Sequence, residues 1–271
     1  MAVSASTPLV LIGAGNMGGA MLAGWLANGI DPQAIVVVDP RPSEAMTARL
    51  KELGVRHLTE APSGVTAGVL LVAVKPQIAA GALPPARKLV GKDTVSVSVA
   101  AGKTVAFLED MLGGAIVRAM PNTPAMIGRG ITACYPNAAV SDAAKALVTE
   151  LLSVCGPVEW VDEEIHIDAV TAVSGSGPAY VFHLAECMAE AGRKVGLPAD
   201  LAMRLARATV SGAGELMHCS TDPAETLRRN VTSPNGTTAA ALAVLMAEDG
   251  LQPLMDEAIR AAFLRAGELA G

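Results

Sequence analysis

Leu9-Val10-Leu11-Ile12-Gly13-Ala14-Gly15-Asn16-Met17-Gly18-Gly19-Ala20-Met21 is the stretch whose reading decides the fold. Four apolar residues predict a buried strand, Gly13, Gly15 and Gly18 form a G-x-G-x-x-G turn, and residues 21–26 continue with helical periodicity. In such a turn the first glycine permits a tight reversal. The second leaves room for a pyrophosphate against the backbone, and the third lets helix and strand pack closely. Free N–H groups at the helix start then face the phosphates, with no side-chain cation required. A second apolar strand, residues 34–38, ends in Asp39, about 20 residues past the last motif glycine, where a dinucleotide fold places the acid that meets a ribose 2′-hydroxyl.

The remaining strands extend this reading. Residues 67–74 form a continuous apolar run closed by Lys75-Pro76, as suits a parallel strand covered on both faces. The pattern recurs at 94–99, which ends in Ala100-Ala101-Gly102, and at 115–119, which ends in Met120-Pro121-Asn122-Thr123-Pro124. In a doubly wound sheet these turns share the carboxyl edge, where ligands bind. Lys75, Pro76, Ala100, Ala101 and Met120 are therefore expected beside the glycine turn, the alanines leaving space for a flat ring. Residues 131–135, a helix over 143–154 and residues 157–161 complete a dinucleotide-binding domain over 1–162.

From 163 to 271 strand signals stop and helices rich in Ala, Leu and Met take over, a composition shift that marks a second domain. Ser174-Gly175-Ser176-Gly177-Pro178 opens a long helix reaching residue 195, with Pro178 in its first turn. Residues 201–217 form the next helix, and another begins at 223–228. The run Asn230-Val231-Thr232-Ser233-Pro234-Asn235-Gly236-Thr237-Thr238 then leads into a strong Ala/Leu helix. Its exposed amides and hydroxyls suit one carboxylate; an ordinary N-cap, in which a threonine bonds its own helix, fits equally well.

Composition narrows the function. Charged residues are 17% against a usual figure of about 25%, while apolar residues are 51%, more than one chain's polar surface covers well, so an oligomer is expected. A net charge of −6 speaks against a nucleic-acid partner. No run approaches the roughly 18 apolar residues of a membrane span. Cys134, Cys155, Cys187 and Cys219 lack metal spacing, and His57, His166, His183 and His218 are scattered, so neither a metal site nor a histidine catalyst is expected. The reading is an α/β protein in the cytoplasm, a Rossmann-type doubly wound parallel sheet followed by an all-α domain.

The segment Ser233-Pro234-Asn235-Gly236-Thr237-Thr238 resembles the signature of the pyrroline-5-carboxylate reductase family. So, in order, do Ile12 to Met17, Ala73-Val74-Lys75-Pro76, Ala100-Ala101-Gly102, Met120 to Pro124, and Asp168-Ala169-Val170-Thr171 followed by Ser174 to Tyr180. The resemblance implies a helical dimerisation domain, a homodimer with rings of dimers as a further level, and sites at the domain and subunit junction. It implies that Gly13, Ala14, Gly15, Asn16, Met17, Gly18, Asp39, Arg41, Val74, Lys75, Pro76, Ala100, Ala101 and Asn230 hold NADPH or NADH. Met120, Glu164, Asn230, Ser233, Gly236, Thr237 and Thr238 would surround 1-pyrroline-5-carboxylate, with Thr238 near its nitrogen as the catalytic group. Family members often carry serine at the position of Asp39. Asp39 would repel a 2′-phosphate, and Arg41 would offset that repulsion, so both cofactors are expected to serve.

Two other readings are weaker. A β-hydroxyacid dehydrogenase would carry a lysine four positions beyond the G-x-G pair at the long helix, where this chain has Val181. A nucleotide sensor without catalysis would have no need of the intact Ser233 to Thr238 turn.

Overall fold

The computed structural model describes residues 3–270. Its first half alternates β1 (Leu9–Ile12), α1 (Asn16–Ala27), β2 (Ile35–Val38), α2 (Glu44–Glu52), β3 (Arg56–Leu58), β4 (Val69–Val72) and α3 (Pro76–Ala86). It continues with β5 (Val95–Ser98), α4 (Val105–Leu112), β6 (Ala115–Pro121), β7 (Thr132–Pro136), α5 (Asp142–Ser153) and β8 (Val158–Trp160). The eight strands form one sheet in the order β3-β2-β1-β4-β5-β6-β7-β8. Every neighbouring pair is parallel except β6 and β7, which run antiparallel. The doubly wound sheet expected from the sequence is the one observed.

Alternation along the central strands explains why they read as unbroken apolar runs. Leu9 and Leu11 join one core, with Met21, Leu22 and Trp25 of α1 and Val148 and Leu151 of α5. Val10 and Ile12 join the other, with Ala79 and Leu83 of α3 and Leu108 of α4. Both faces of the sheet are thus covered by helices, which is why β1, β2 and β4 are apolar at every position. The indole Nε1 of fully buried Trp25 donates to Leu151 O at 2.7 Å, which satisfies the one polar atom this large residue carries into the core.

The helical half contains α6 (Ile165–Val170), a π-helical turn at Thr171–Gly175, α7 (Gly177–Lys194), α8 (Ala199–Cys219), α9 (Ala224–Asn230), α10 (Thr237–Leu245) and α11 (Leu251–Ala270). Pro178 occupies the first turn of α7, where its missing N–H costs nothing. The chain separates into two compact units: one runs through Gly175 and is rejoined from Phe263 onward, the other is Ser176–Ala262. Helices begin close to residue 163, yet α6 and the π turn stay with the first unit, because Arg118 on β6 pairs with Glu164 and Asp168 on either side of α6's start.

At its far end α11 lies on the turn after β5. Gly102 there has φ +68°, and a Cβ on it would sit 2.9 Å from the carbonyl oxygen of Leu269. In the second unit, α7 and α8 touch through Ala189, Ala202 and Ala206, with Leu197 against them. Among the described residues no helix is long and apolar enough to cross a membrane.

Candidate active site

The glycine turn is built as its sequence requires. Gly13 has φ +91°, and a Cβ would lie 2.8 Å from the carbonyl oxygen of Ala73 on the neighbouring strand's exit. A Cβ on Gly18 would collide with the carbonyl oxygen of Gly13. Gly15, by contrast, has open space where a Cβ would project, which leaves the backbone approachable. Gly15 is the N-cap of α1 and no side chain caps that end, so the first-turn amides near Asn16 and Met17 remain available. Unpaired N–H groups at a helix start, with the aligned helix dipole behind them, suit a diphosphate.

Asp39 leaves β2 beside this turn, and its carboxylate is bonded to the protein. Oδ2 accepts from Ala14 N at 2.8 Å and Oδ1 from Arg41 N at 2.9 Å, while the main-chain oxygen of Asp39 meets His57 Nε2 at 2.9 Å. Two cavities open here. The larger, about 740 Å³, is lined by Gly13, Asp39, Arg41, Val74 and Lys75 among others. The smaller, about 390 Å³, is lined by Gly15, Asn16, Asp39, Arg41, Ser43 and Arg49 with their neighbours.

Parallel pairing carries the next expected residues to the same edge. Ala73 N donates to Ile12 O at 2.8 Å and Val99 N to Val72 O at 3.0 Å, so the exits of β1, β4 and β5 stay in step. Lys75 is the exposed N-cap of α3 and Pro76 starts that helix. Ala100 is buried and Ala101 exposed on the following turn. Met120 lies near the end of β6, close enough that a Cβ on Gly175 of the π turn would meet its Cε at 2.6 Å.

Below Met120 lies an ionic cluster that sequence reading only half found. Arg118, 3% exposed, donates to Glu164 Oε1 at 3.0 Å and to Asp168 Oδ1 at 2.7 Å. Glu164 Oε1 also accepts from Val105 N at 2.8 Å, at the start of α4. Glu164 is therefore bound into β6 and α4 rather than carrying a free charge. Asn122 completes the junction: its amide donates to Ser174 Oγ at 3.1 Å and its carbonyl accepts from Ile131 N at 3.0 Å. Arg118 was the missed residue, and its signal was a lone cation inside a strand expected to be covered on both faces, which has to find a partner.

Asn230, Ser233, Gly236, Thr237 and Thr238 belong to the second unit. Asn230 ends α9, Asn235 has φ +58°, and Gly236 donates its N–H to Ser233 O at 3.1 Å before α10 begins. A Cβ on Gly236 would meet Ser233 Oγ, so the Ser233 hydroxyl lies close against this turn. Gly236 is the N-cap of α10 and no side chain caps that end. The self-capping threonine that the sequence left open as an alternative is not formed. The amides at the mouth of α10 stay free for an anion. None of α10's residues is buried within the single chain.

Comparison with known proteins matches two separate stretches of the chain. Residues 164–269 match the family described as pyrroline-5-carboxylate reductase dimerisation, and residues 8–102 match the family described as NADP oxidoreductase, coenzyme F420-dependent. The chain is 42% identical to the pyrroline-5-carboxylate reductase of Pseudomonas aeruginosa over 98% of both chains. A solved pyrroline-5-carboxylate reductase from Coxiella burnetii superposes with a TM-score of 0.90 at 33% identity, covering 98% of this chain and 99% of that one. The Plasmodium falciparum pyrroline carboxylate reductase, solved with NADP bound, gives a TM-score of 0.78 at 28% identity over 98% of each chain.

Proposed function

The chain belongs to the pyrroline-5-carboxylate reductase family, and from that premise we propose how its own residues reduce the C=N bond of 1-pyrroline-5-carboxylate to L-proline. NADPH or NADH is the reductant. When bound, the reduced nicotinamide supplies a hydride, and that chemistry belongs to the cofactor. The chain's task is to hold two rings in register and exclude water.

The residues of the first unit fit a dinucleotide. The open face of Gly15 and the uncapped start of α1 would take the diphosphate, with Gly13, Ala14, Asn16, Met17 and Gly18 shaping the turn. Asp39 and Arg41 flank the ribose end, Val74 and Lys75 line the larger cavity's wall with Pro76 next to them at the start of α3, and Ala100 and Ala101 keep space for the nicotinamide. Asn230 is proposed as a further contact of both cofactor and substrate.

The observation that carries the substrate reading is the start of α10, held open by Gly236 with no side chain bonded across it. We place the substrate carboxylate on the amides of Thr237 and Thr238, with Gly236, whose own N–H closes the turn onto Ser233 O, shaping the cradle. The Thr238 hydroxyl then hydrogen-bonds the ring nitrogen. A substrate that arrives as an iminium already carries its proton, so hydride addition at carbon delivers the electron pair to nitrogen without a strong general acid. Glu164 acts on the positive nitrogen as part of its cluster, in which two carboxylates share one guanidinium and leave a net negative charge, and Met120 packs against the ring.

The same proposal makes the enzyme a homodimer, with rings of dimers as its larger form. It is supported by exposed Val181, Phe182, Leu184 and Met188 on α7 and Val244 and Leu245 on α10, an apolar surface larger than a lone soluble chain keeps. A cytoplasmic location accords with four cysteines kept as free thiols, and the net charge of −6 with the proposal that it has no nucleic-acid partner; no membrane partner is proposed either. The test is Thr238→Ala, assayed by NADPH and NADH oxidation with 1-pyrroline-5-carboxylate. Turnover is expected to fall at least about tenfold, the loss of one strong hydrogen bond to a charged group, with the thermal midpoint little changed. Undiminished turnover would remove Thr238 from the reaction.

A further inference from the structure

The acid at the end of β2 is ordinarily read as the group that favours an unphosphorylated ribose. Here both its oxygens already accept main-chain N–H groups, one from Ala14 in the glycine turn and one from Arg41 in its own loop. The carboxylate is a brace between two loops. Its charge is partly compensated by those two dipoles, and its rotamer is fixed by bonds on either side. Asp39, Arg41 and Gly15 line both cavities, so they form the partition between them.

On the far side of that partition two guanidinium groups face a single acid. The titratable groups of the smaller cavity are Asp39, Arg41 and Arg49. Neither guanidinium has an ion pair among those found for the described residues, the pairs found being made by other cations. Ser43, Met46 and Arg49 recur at three-residue spacing, so one face of α2 carries them to this cavity. The Ser43 oxygen accepts from Met46 N at 3.2 Å, which leaves its hydroxyl proton free to donate. Two free cations, a free O–H donor and an acid already engaged make a pocket for a phosphate monoester.

We propose that the smaller cavity is the site that recognises a 2′-phosphorylated ribose, that Arg49 and Arg41 make the discrimination, and that Asp39 is a positioning residue serving both cofactors. The proposal rests on the dinucleotide reading of the glycine turn and deepens it. It reverses the sign usually expected at this position: removing Asp39 loosens the glycine turn for NADPH and NADH alike, instead of opening the way for NADPH.

The experiment uses the full-length enzyme and reads binding as well as turnover. By calorimetry, Arg49→Gln and Arg41→Gln should each weaken adenosine 2′,5′-bisphosphate about tenfold relative to adenosine 5′-monophosphate, the size of a charge-assisted hydrogen bond at a partly exposed site. The kcat/KM ratio of NADPH to NADH should fall by a similar factor. Asp39→Asn keeps the side chain's size but leaves one acceptor for two N–H donors, so kcat/KM should drop for both cofactors while their ratio stays within about twofold. An unchanged nucleotide preference in Arg49→Gln overturns the proposal, as does an Asp39→Asn or Asp39→Ser enzyme whose NADPH preference rises several-fold. Protein that discriminates the two nucleotides as described but fails to reduce the imine would support this site and sink the reductase reading instead.

Discussion

A methyl group at position 18 would run into the carbonyl oxygen of Gly13, so Gly18→Ala must part helix from turn. The expected outcome is loss of nucleotide affinity by more than about tenfold for NADPH and NADH together, measured by fluorescence titration, since the shared diphosphate cradle is what moves. Cys134 shows burial acting on chemistry: removal from solvent pushes its thiol up from 9.0 to about 12. The folded protein therefore retains a proton that the unfolded chain releases above pH 9. This group's contribution to stability is complete below that pH and is lost as pH rises towards 12. Urea titrations from pH 8 to 10.5 should show a midpoint falling at the alkaline end, less steeply in Cys134→Ala. Thiolate reagents should leave native Cys134 untouched. The glycines were legible in the sequence because their reasons are those of backbone geometry. Asp39 was legible as an acid at a strand end, but its two N–H donors belong to loop conformations that spacing does not encode.

Between elements, the Arg118 cluster joins β6, α4 and α6 through one guanidinium. Replacing it by methionine leaves two partly or fully buried carboxylates facing each other. A stability loss of about 3–5 kcal/mol is expected from urea unfolding, as for other broken buried pairs. Stability equal to wild type would show that the cluster is dispensable. The sequence read the long apolar strands well because both faces of each are covered. It gave no sign of β3, whose Arg56-His57-Leu58 sits at the sheet's edge beside β2 and needs no apolar alternation. It assigned no helix to α3 either, where Pro84 and Pro85 lie in the last turns. Helix boundaries in the second half shifted by a residue or two, which caps and fraying account for. The π turn was invisible, because its extra residue is set by packing on β6 and not by local propensity.

For the whole molecule, the helical unit depends most on what covers it. In α7 only Ala189 is buried, and in α8 only Ala202 and Ala206, too little core to hold helices of this length in one chain. Phe182→Asp, at a side chain 65% exposed, should convert the assembly to 27.5 kDa monomers in light scattering and abolish turnover. A multimer of unchanged mass would place the interface elsewhere. Apolar excess raises the expectation of assembly from composition alone, whereas the proposal that α7 and α10 carry the contact rests on side chains exposed in the fold. The last residues of α11 carry a practical consequence. Leu269 rests on the Gly102 turn, next to Ala100 and Ala101, so a purification handle fused after residue 271, or proteolytic trimming of the tail, would disturb the proposed nicotinamide edge. A handle at the amino end should preserve activity that the same handle at the carboxyl end diminishes.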